Sequence, residues 1–138
     1  MTRYLLDTNI IGHATKPRPS PALAAWMQAQ ADQDLFISAL TLAEVERGIL
    51  EKPAGKKKKE LERWLSGPEG RTLFAGRILA FDERAAPVWA KLMADGTRRG
   101  RPRSALDMII AAIALANDCT IVTENARDFA GLQSLNPL

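Results

Sequence analysis

Cysteine and histidine are nearly absent from this sequence, with one residue of each in 138. Cys119 has no partner for an intrachain disulfide, which suits a reducing compartment, and we expect it to be a small buried residue before a strand. A zinc site normally needs several nitrogen or sulfur ligands, so this shortage disfavours one. It also disfavours the metal-free ribonuclease mechanism, which relies on a histidine pair. We therefore expect His13 to be a surface residue of a helix.

Long apolar runs are also missing. The longest one, Met108 to Ala116, is too short to cross a bilayer, and the acid Asp7 arrives before any hydrophobic signal core forms. These features predict a cytoplasmic protein without a membrane segment. With 138 residues, 46% of them hydrophobic, the chain fits one domain over residues 1–138 that buries a substantial core.

The charge balance is only mildly basic, with 19 basic and 16 acidic residues. Such an excess permits a polyanionic partner without requiring one. Two basic runs stand out, Lys56–Lys59 and the arginines Arg98, Arg99, Arg101 and Arg103. We interpret the lysine run as a solvated helix face. The arginine run lies just before Asp107, and guanidinium groups suit phosphate recognition, so it is a candidate nucleic-acid contact.

Short apolar runs alternate with longer amphipathic segments along the chain. Four of these runs predict strands, at Arg3–Leu6, Leu35–Ser38, Ile78–Phe81 and Thr120–Val122. Helical spacing of apolar residues predicts helices over 9–13, 21–31, 41–50, 56–65, 83–94 and 105–117, then a short helix at 126–129 and an extended tail. The alternation predicts one α/β domain, with a mostly parallel central sheet of about four to five strands flanked by helices.

Three carboxylates fall where such sheets bind ligands, at the carboxyl ends of the strands. Asp7 directly follows the first strand, while Glu44 and Asp107 lie in the first turns of two helices. Each acid also has a purely structural explanation. Asp7 suits a helix N-cap, and the other two stand three residues after Thr41 and Ser104, which is the spacing of a capping box. Asp107 is the one acid of an otherwise apolar helix, and stripping it of water is costly without a partner.

A cation would resolve the repulsion within this acidic group. At about 4 Å and an effective dielectric near 20, two carboxylates repel by about 4 kcal/mol. A hard divalent ion offsets that repulsion, and oxygen-only ligands select magnesium or manganese over zinc. The acids therefore predict a Mg²⁺ or Mn²⁺ site. Asp128, beyond the fourth strand, is a fourth candidate; the alternative is a helix-end acid paired with a nearby arginine.

The candidate acids stand in four short motifs that together resemble a known family. The motifs are Asp7-Thr8-Asn9, Glu44-Val45-Glu46-Arg47-Gly48, Asp107-Met108-Ile109-Ile110-Ala111-Ala112 and Thr123-x-Asn125-x-x-Asp128-Phe129. They resemble the signatures of PIN-domain ribonucleases, and most of all the VapC-type toxins of prokaryotic toxin–antitoxin pairs. Each motif is loose, but four in order along essentially the whole chain form a specific signal.

The resemblance implies a PIN-like fold and a metal-dependent ribonuclease, in which metal-activated water hydrolyses RNA. It also implies a homodimer and inhibition by a cognate antitoxin protein. The acids Asp7, Glu44, Asp107 and Asp128 would surround one or two magnesium or manganese ions. Supporting hydrogen bonds would come from Thr8, Asn9 and Asn125, and contacts to the RNA from Arg98, Arg99, Arg101 and Arg103.

Two positions depart from the family pattern, and two other functions stay open. Many members carry an acid where this chain has His13 and an arginine where it has Glu124. A phosphatase of the haloacid-dehalogenase type also begins with an aspartate after a strand, but it needs a second aspartate where this chain has Asn9. A non-catalytic nucleic-acid-binding or regulatory domain would keep the fold without hydrolysis, and the four acids argue against it.

Overall fold

The computed structural model describes residues 2–138 and contains a five-stranded sheet. The strands are β1 (Arg3–Leu6), β2 (Leu35–Ser38), β3 (Ile78–Leu79), β4 (Cys119–Val122) and β5 (Ser134–Leu135). Their order across the sheet is β3-β2-β1-β4-β5, and all four neighbouring pairs are parallel. This confirms the expected α/β architecture, and the extended tail provides the fifth strand. β3 is shorter than predicted, with two residues instead of four.

Six α-helices accompany the sheet in residues 2–138. They are α1 (Thr8–Ala14), α2 (Pro21–Ala29), α3 (Ala39–Leu50), α4 (Lys56–Ser66), α5 (Ala85–Arg98) and α6 (Ala105–Ala116), with 3-10 turns at Asp32–Asp34 and Ala126–Phe129. The lysine run forms the largely exposed start of α4, as predicted for a solvated face. None of these helices is long and apolar enough to span a membrane.

The start of α3 differs from the prediction in a way that concerns the acidic site. Ser38 is the N-cap, and its hydroxyl oxygen accepts a hydrogen bond from the Thr41 N–H at 2.9 Å. Thr41 is fully buried inside the first turn, so its prediction as N-cap, with Glu44 three residues later in a capping box, is wrong. β2 runs directly into α3 because Ser38 both ends the strand and caps the helix. The cap expected at α6 is correct, since the Ser104 hydroxyl accepts from the Asp107 N–H at 3.2 Å.

Helix α5 continues one turn further than predicted and includes Arg98. The chain then turns back closely over the helix end, where the Arg101 N–H donates to the Gly96 carbonyl at 2.8 Å. A Cβ atom at Gly96 would lie 2.9 Å from the Arg101 carbonyl oxygen, so this close approach requires glycine. The turn holds the following arginines against the start of α6.

Two apolar layers cover the two faces of the sheet. Successive strand residues point to opposite faces, so Leu5 packs in the layer of α6 while Leu6 packs in the layer of Ile10 and Leu23 from α1 and α2. This explains why the central strands are continuous apolar runs. Cys119 is buried at the start of β4, as expected of a structural cysteine, and its burial raises the pKa of the thiol to about 11.

The strand order creates a switch point at the centre of the sheet. From β1 the chain continues to β2 and β3 on one side, and β4 later returns to the other side of β1. The carboxyl ends of β1 and β4 lie next to each other, since Leu6 pairs with Val122. In open α/β sheets, ligands bind in the crevice outside such a point. Asp7 and Thr123, the first residues after these two strands, both lie there.

Candidate active site

Asp7 is buried at the switch point, with 7% of its surface exposed. Its Oδ1 accepts the N–H of Thr8 at 2.8 Å, which makes Asp7 the N-cap of α1. Its Oδ2 accepts the Thr123 hydroxyl at 2.9 Å and the Asn9 side-chain amide at 3.2 Å. A carboxylate offers about four lone-pair sites, so three hydrogen bonds leave acceptor capacity free. The capping role therefore does not exclude a ligand role for this side chain.

Glu44 reaches the same site from α3 and is held by a hydroxyl group. The Thr8 hydroxyl donates to its Oε1 at 2.6 Å, a distance typical of a charge-assisted O–H···O⁻ bond. Thr8 thus contacts two acids, one through its backbone N–H and one through its side chain. This double contact joins the acid after β1 to the acid of α3.

Asp107 lies in the first turn of α6, and Asp128 lies in the 3-10 turn after β4. The pKa of Asp107 is raised above its ordinary value, chiefly by burial and then by the charges of Asp128 and Glu44, while a hydrogen bond from Ser104 lowers it. The charge of Asp107 is therefore repelled by acids from two other segments of the chain.

The pKa of Asp7 is raised as well. Burial is the largest cause, hydrogen bonds from Thr123 and Thr8 oppose it, and the negative charges of Asp107 and Glu44 add to it. The fold therefore brings four acids that are far apart in the sequence close enough for their negative charges to repel one another. Burial and like charge both favour a bound cation here, because a cation lowers the free energy of the charged forms.

The four acids have no cationic partner within residues 2–138, since none of the ion pairs formed there includes any of them. In the same part of the chain, no three acidic, histidine or cysteine side chains lie close enough to hold one ion by themselves. The donor set still fits Mg²⁺ or Mn²⁺, because Mg²⁺ is usually bound by one or two carboxylates and keeps several water ligands. It does not fit zinc, which prefers nitrogen and sulfur.

An open cleft of about 940 Å³ extends from Asp107 and Asp128 toward the end of α5. Its basic residues are Arg99, Arg101, Arg103 and Arg127. Acids at one end and guanidinium groups along the wall suit a phosphodiester chain, in which one phosphate lies at the acids and its neighbours contact the arginines.

Two of the predicted RNA-binding arginines are placed differently from the others. Arg98 does not line the cleft itself, but its guanidinium group pairs at 3.7 Å with Asp95, which does. Arg103 lines the cleft but contacts the protein itself, donating to the Ala130 carbonyl at 2.8 Å and to the Met108 sulfur at 3.6 Å. These bonds tie the segment before Asp107 to the segment after Asp128. Arg103 therefore braces the two acids, while Arg99 and Arg101 remain exposed to a ligand.

The two positions that depart from the family pattern contact each other. His13 Nε2 lies 2.5 Å from Glu124 Oε2, and His13 Nδ1 lies 3.1 Å from Lys16 Nζ. His13 thus lies near the surface on helix α1, in agreement with the prediction, and its ring bridges Glu124 and Lys16. The Glu124 N–H in turn donates to Asn9 Oδ1 at 3.3 Å, so the bridge extends to the residue that holds Asp7.

Two residues of this site, Thr123 and Arg127, have no role among the residues predicted from the sequence. Thr123 is fully buried and bonds to Asp7, while its hydroxyl oxygen also accepts the Asn125 N–H at 3.1 Å and the Asn9 amide at 3.3 Å. Its position right after β4 was the available signal, because it mirrors Asp7 after β1. The predicted support from Asn125 is indirect, because its backbone N–H donates to the Thr123 hydroxyl oxygen, and Thr123 in turn donates to Asp7. Arg127 likewise has no predicted role, although it directly precedes Asp128 in the fourth motif.

Comparison with known proteins gives a consistent result. Residues 4–133 match the family model described as PIN domain. The chain is 38% identical to VapC ribonuclease Y4jK of Sinorhizobium fredii and 36% identical to toxin FitB of Neisseria gonorrhoeae, each over 135 residues and 96% of both chains. Its structure resembles the crystal structure of FitAcB from Neisseria gonorrhoeae with a TM-score of 0.90 and 35% identity, covering 97% of both chains.

Proposed function

The chain belongs to the PIN domain family, and we propose that it is a Mg²⁺- or Mn²⁺-dependent endoribonuclease acting as the toxin of a toxin–antitoxin pair. Its relatives at 36–38% identity are named a VapC ribonuclease and a toxin. One observation carries the proposal. Asp107 and Asp128 line an arginine-rich cleft, and the charge of Asp107 interacts with those of Asp7 and Glu44 from two other segments.

Asp7 and Asp107 are the direct ligands that we propose for the cation, since each begins an element at the carboxyl edge of the sheet. Glu44 and Asp128 complete the acidic set or bind its water ligands. When bound, the cation lowers the pKa of a water molecule and neutralises charge on the scissile phosphate. This chemistry needs oxygen donors with unused lone pairs, which the four carboxylates provide.

The other site residues hold these acids and the substrate. Asn9 and Thr123 fix one oxygen of Asp7, and Thr8 fixes one oxygen of Glu44, so the free lone pairs have a defined direction. Arg99 and Arg101 hold the phosphates beside the scissile bond, and their distance from the acids sets which phosphate lies at the cation.

Cleavage by the purified protein tests this proposal. Wild type should cut RNA internally when Mg²⁺ or Mn²⁺ is present and stop when the cation is chelated, and Asp7→Asn and Asp107→Asn should be inactive. The matched control is Asp32→Asn, which removes the same charge at the amino end of β2, on the opposite edge of the sheet. Equal cleavage by wild type and Asp7→Asn would rule out the proposed site.

The non-catalytic alternative makes a different prediction for the same samples. A nucleic-acid-binding or regulatory PIN-like domain would bind RNA through Arg99 and Arg101, yet release no fragments at any cation concentration. The four acids without an ion-pair partner favour the nuclease, since RNA binding alone gives no reason to gather negative charge beside a phosphate path.

We also propose that a cognate antitoxin blocks the site and that the chain forms a homodimer in the cytoplasm. An antitoxin arginine would fit the carboxylates in place of the cation. Apolar residues of the antitoxin would pack beside the segments 18–27 and 41–50, where Leu50 at the end of α3 is 73% exposed. Analytical ultracentrifugation of the chain with and without its neighbouring gene product measures both assemblies.

A further inference from the structure

A line of three hydroxyl groups connects the end of β2 to the catalytic acid of α3. The Ser38 and Thr41 hydroxyl oxygens are 3.1 Å apart, those of Thr41 and Thr8 are 3.2 Å apart, and Thr8 is 2.6 Å from Glu44 Oε1. Ser38 and Thr41 are both fully buried. The proposed function assigns no task to either residue, although both are polar groups in the interior, where an apolar side chain would normally be more favourable.

Counting protons gives this line a single direction. The Ser38 oxygen already accepts the Thr41 N–H at 2.9 Å, so the Ser38 hydroxyl is free to donate to Thr41. The one proton of Thr8 goes to Glu44, which leaves Thr41 as the donor to Thr8. All three hydroxyl dipoles therefore point toward the carboxylate. Hydrogen bonds in such a chain polarise one another, so the last bond is stronger than an isolated one.

We propose that Thr41 and Ser38 are positioning residues that act through Thr8 to fix the Glu44 carboxylate for cation binding. The line anchors one oxygen of Glu44 to the buried junction of β2 and α3 and leaves the other oxygen free. It connects three elements, because Thr8 belongs to α1, Thr41 to α3, and Ser38 ends β2. A long glutamate side chain would otherwise be mobile at this half-buried position. The conformational entropy that it would lose on binding the cation would then lower the affinity of the site for the cation. The inference rests on the proposed metal-dependent function.

Two substitutions at Thr41 distinguish the effect of its hydroxyl group on Glu44 from the effect of its side-chain volume on packing. Thr41→Val keeps the shape and removes the hydroxyl, whereas Thr41→Ser keeps the hydroxyl and opens a small cavity. We expect Thr41→Val to bind Mn²⁺ about 10-fold more weakly than wild type, in line with other groups that orient metal ligands. Thr41→Ser should bind within about 2-fold of wild type even if it melts at a lower temperature. The matched control is Thr120→Val, a similar change at a buried position of β4 outside the site.

The experiment measures Mn²⁺ binding to the metal-free protein by electron paramagnetic resonance, without RNA. A second pair of proteins carries Glu44→Gln, with and without Thr41→Val. Because Thr41 acts through Glu44, its substitution should have no further effect on Mn²⁺ affinity in the Glu44→Gln background. If Thr41→Val does not fold, Ser38→Ala takes its place in the same cycle.

The outcomes distinguish this inference from the proposed function. Wild-type affinity in Thr41→Val, or an equal loss with and without Glu44→Gln, would overturn the positioning role while leaving the nuclease intact. Absence of Mn²⁺ binding by the wild type would overturn the proposed function and this inference with it. A loss confined to the variants that lack the hydroxyl, and abolished by Glu44→Gln, supports the role.

Discussion

Removing the charge of Asp107 should stabilise the metal-free protein while abolishing its activity. Partial burial is the largest cause of the raised pKa of this carboxylate, and repulsion by the charges of Asp128 and Glu44 adds to it. After screening at this partly exposed position, we expect the repulsions of Asp107 with Asp128, Glu44 and Asp7 to total about 1–2 kcal/mol. The helix N-terminus favours an acid by about 0.3–1 kcal/mol, which opposes the gain. Asp107→Asn should therefore raise the free energy of unfolding by about 0.5–1 kcal/mol at pH 7, or about 2 °C in Tm.

The pH dependence of this gain in the free energy of unfolding follows from the direction in which the pKa of Asp107 is shifted. A folded-state pKa above the unfolded value of 3.8 means that the wild type loses stability as pH rises from 3.8 through the raised pKa. The advantage of Asp107→Asn should thus be absent below pH 3.8 and complete above the raised pKa. Urea unfolding of both proteins between pH 3 and pH 7, without divalent ions, measures it.

Adding Mg²⁺ should make the wild type more stable than Asp107→Asn, which is the reverse of their order without the cation. A ligand that binds only the folded state stabilises it by mass action, so the wild type should gain more than Asp107→Asn, which lacks one proposed ligand. Asp32→Asn serves as the control for loss of one negative charge and should follow the wild type in both conditions. An Asp107→Asn protein that is less stable than the wild type at pH 7, or whose advantage persists at pH 3, would refute the repulsion argument.

Three further predictions concern the cleft and the partner. Arg99→Ala with Arg101→Ala should weaken RNA binding and flatten its logarithmic salt dependence by about 0.7 per lost phosphate contact on single-stranded RNA, whereas Arg18→Ala, which removes an exposed charge outside the cleft, should leave the slope unchanged. If all three arginines contribute equally to the slope, the cleft is not the path of the RNA. Arg103→Ala should lower the free energy of unfolding by about 0.5–1 kcal/mol in urea titrations, because it removes the hydrogen bond to the exposed Ala130 carbonyl, which water then solvates; an unchanged midpoint would argue against a brace. Expression of the wild-type chain should arrest growth, co-expression of its neighbouring gene should restore it, and Asp7→Asn should be harmless; a wild type that is harmless in several hosts and binds no neighbour would contradict the toxin assignment.

The sequence predicted the central architecture because that information is local. β1 and β2 have the predicted bounds, since each is a continuous apolar run flanked by polar residues, as expected of strands buried on both faces. The start of α3 was mispredicted because Thr41 and Glu44 reproduce a capping-box spacing, while Ser38 had been assigned to the strand alone. A residue that serves two elements at once is hard to recognise from either pattern.

The candidate acids were found in the sequence, but several of their partners were not. The contact between Arg103 and the Ala130 carbonyl spans 27 residues, and that between His13 and Glu124 spans 111. No local pattern encodes such pairs, because they arise only when the parallel sheet brings the ends of β1 and β4 together. The alternative considered for Asp128, a helix-end acid paired with a nearby arginine, is not among the ion pairs of residues 2–138.

The central claim is that a divalent cation binds where these acids meet. Anomalous scattering from crystals grown with Mn²⁺ locates the ion directly. We predict a peak within coordination distance, about 2.0–2.3 Å, of a carboxylate oxygen of Asp7 and one of Asp107, and its loss in crystals of Asp7→Asn. A fully occupied peak elsewhere, or no peak at this site at Mn²⁺ concentrations that support RNA cleavage, would contradict the account.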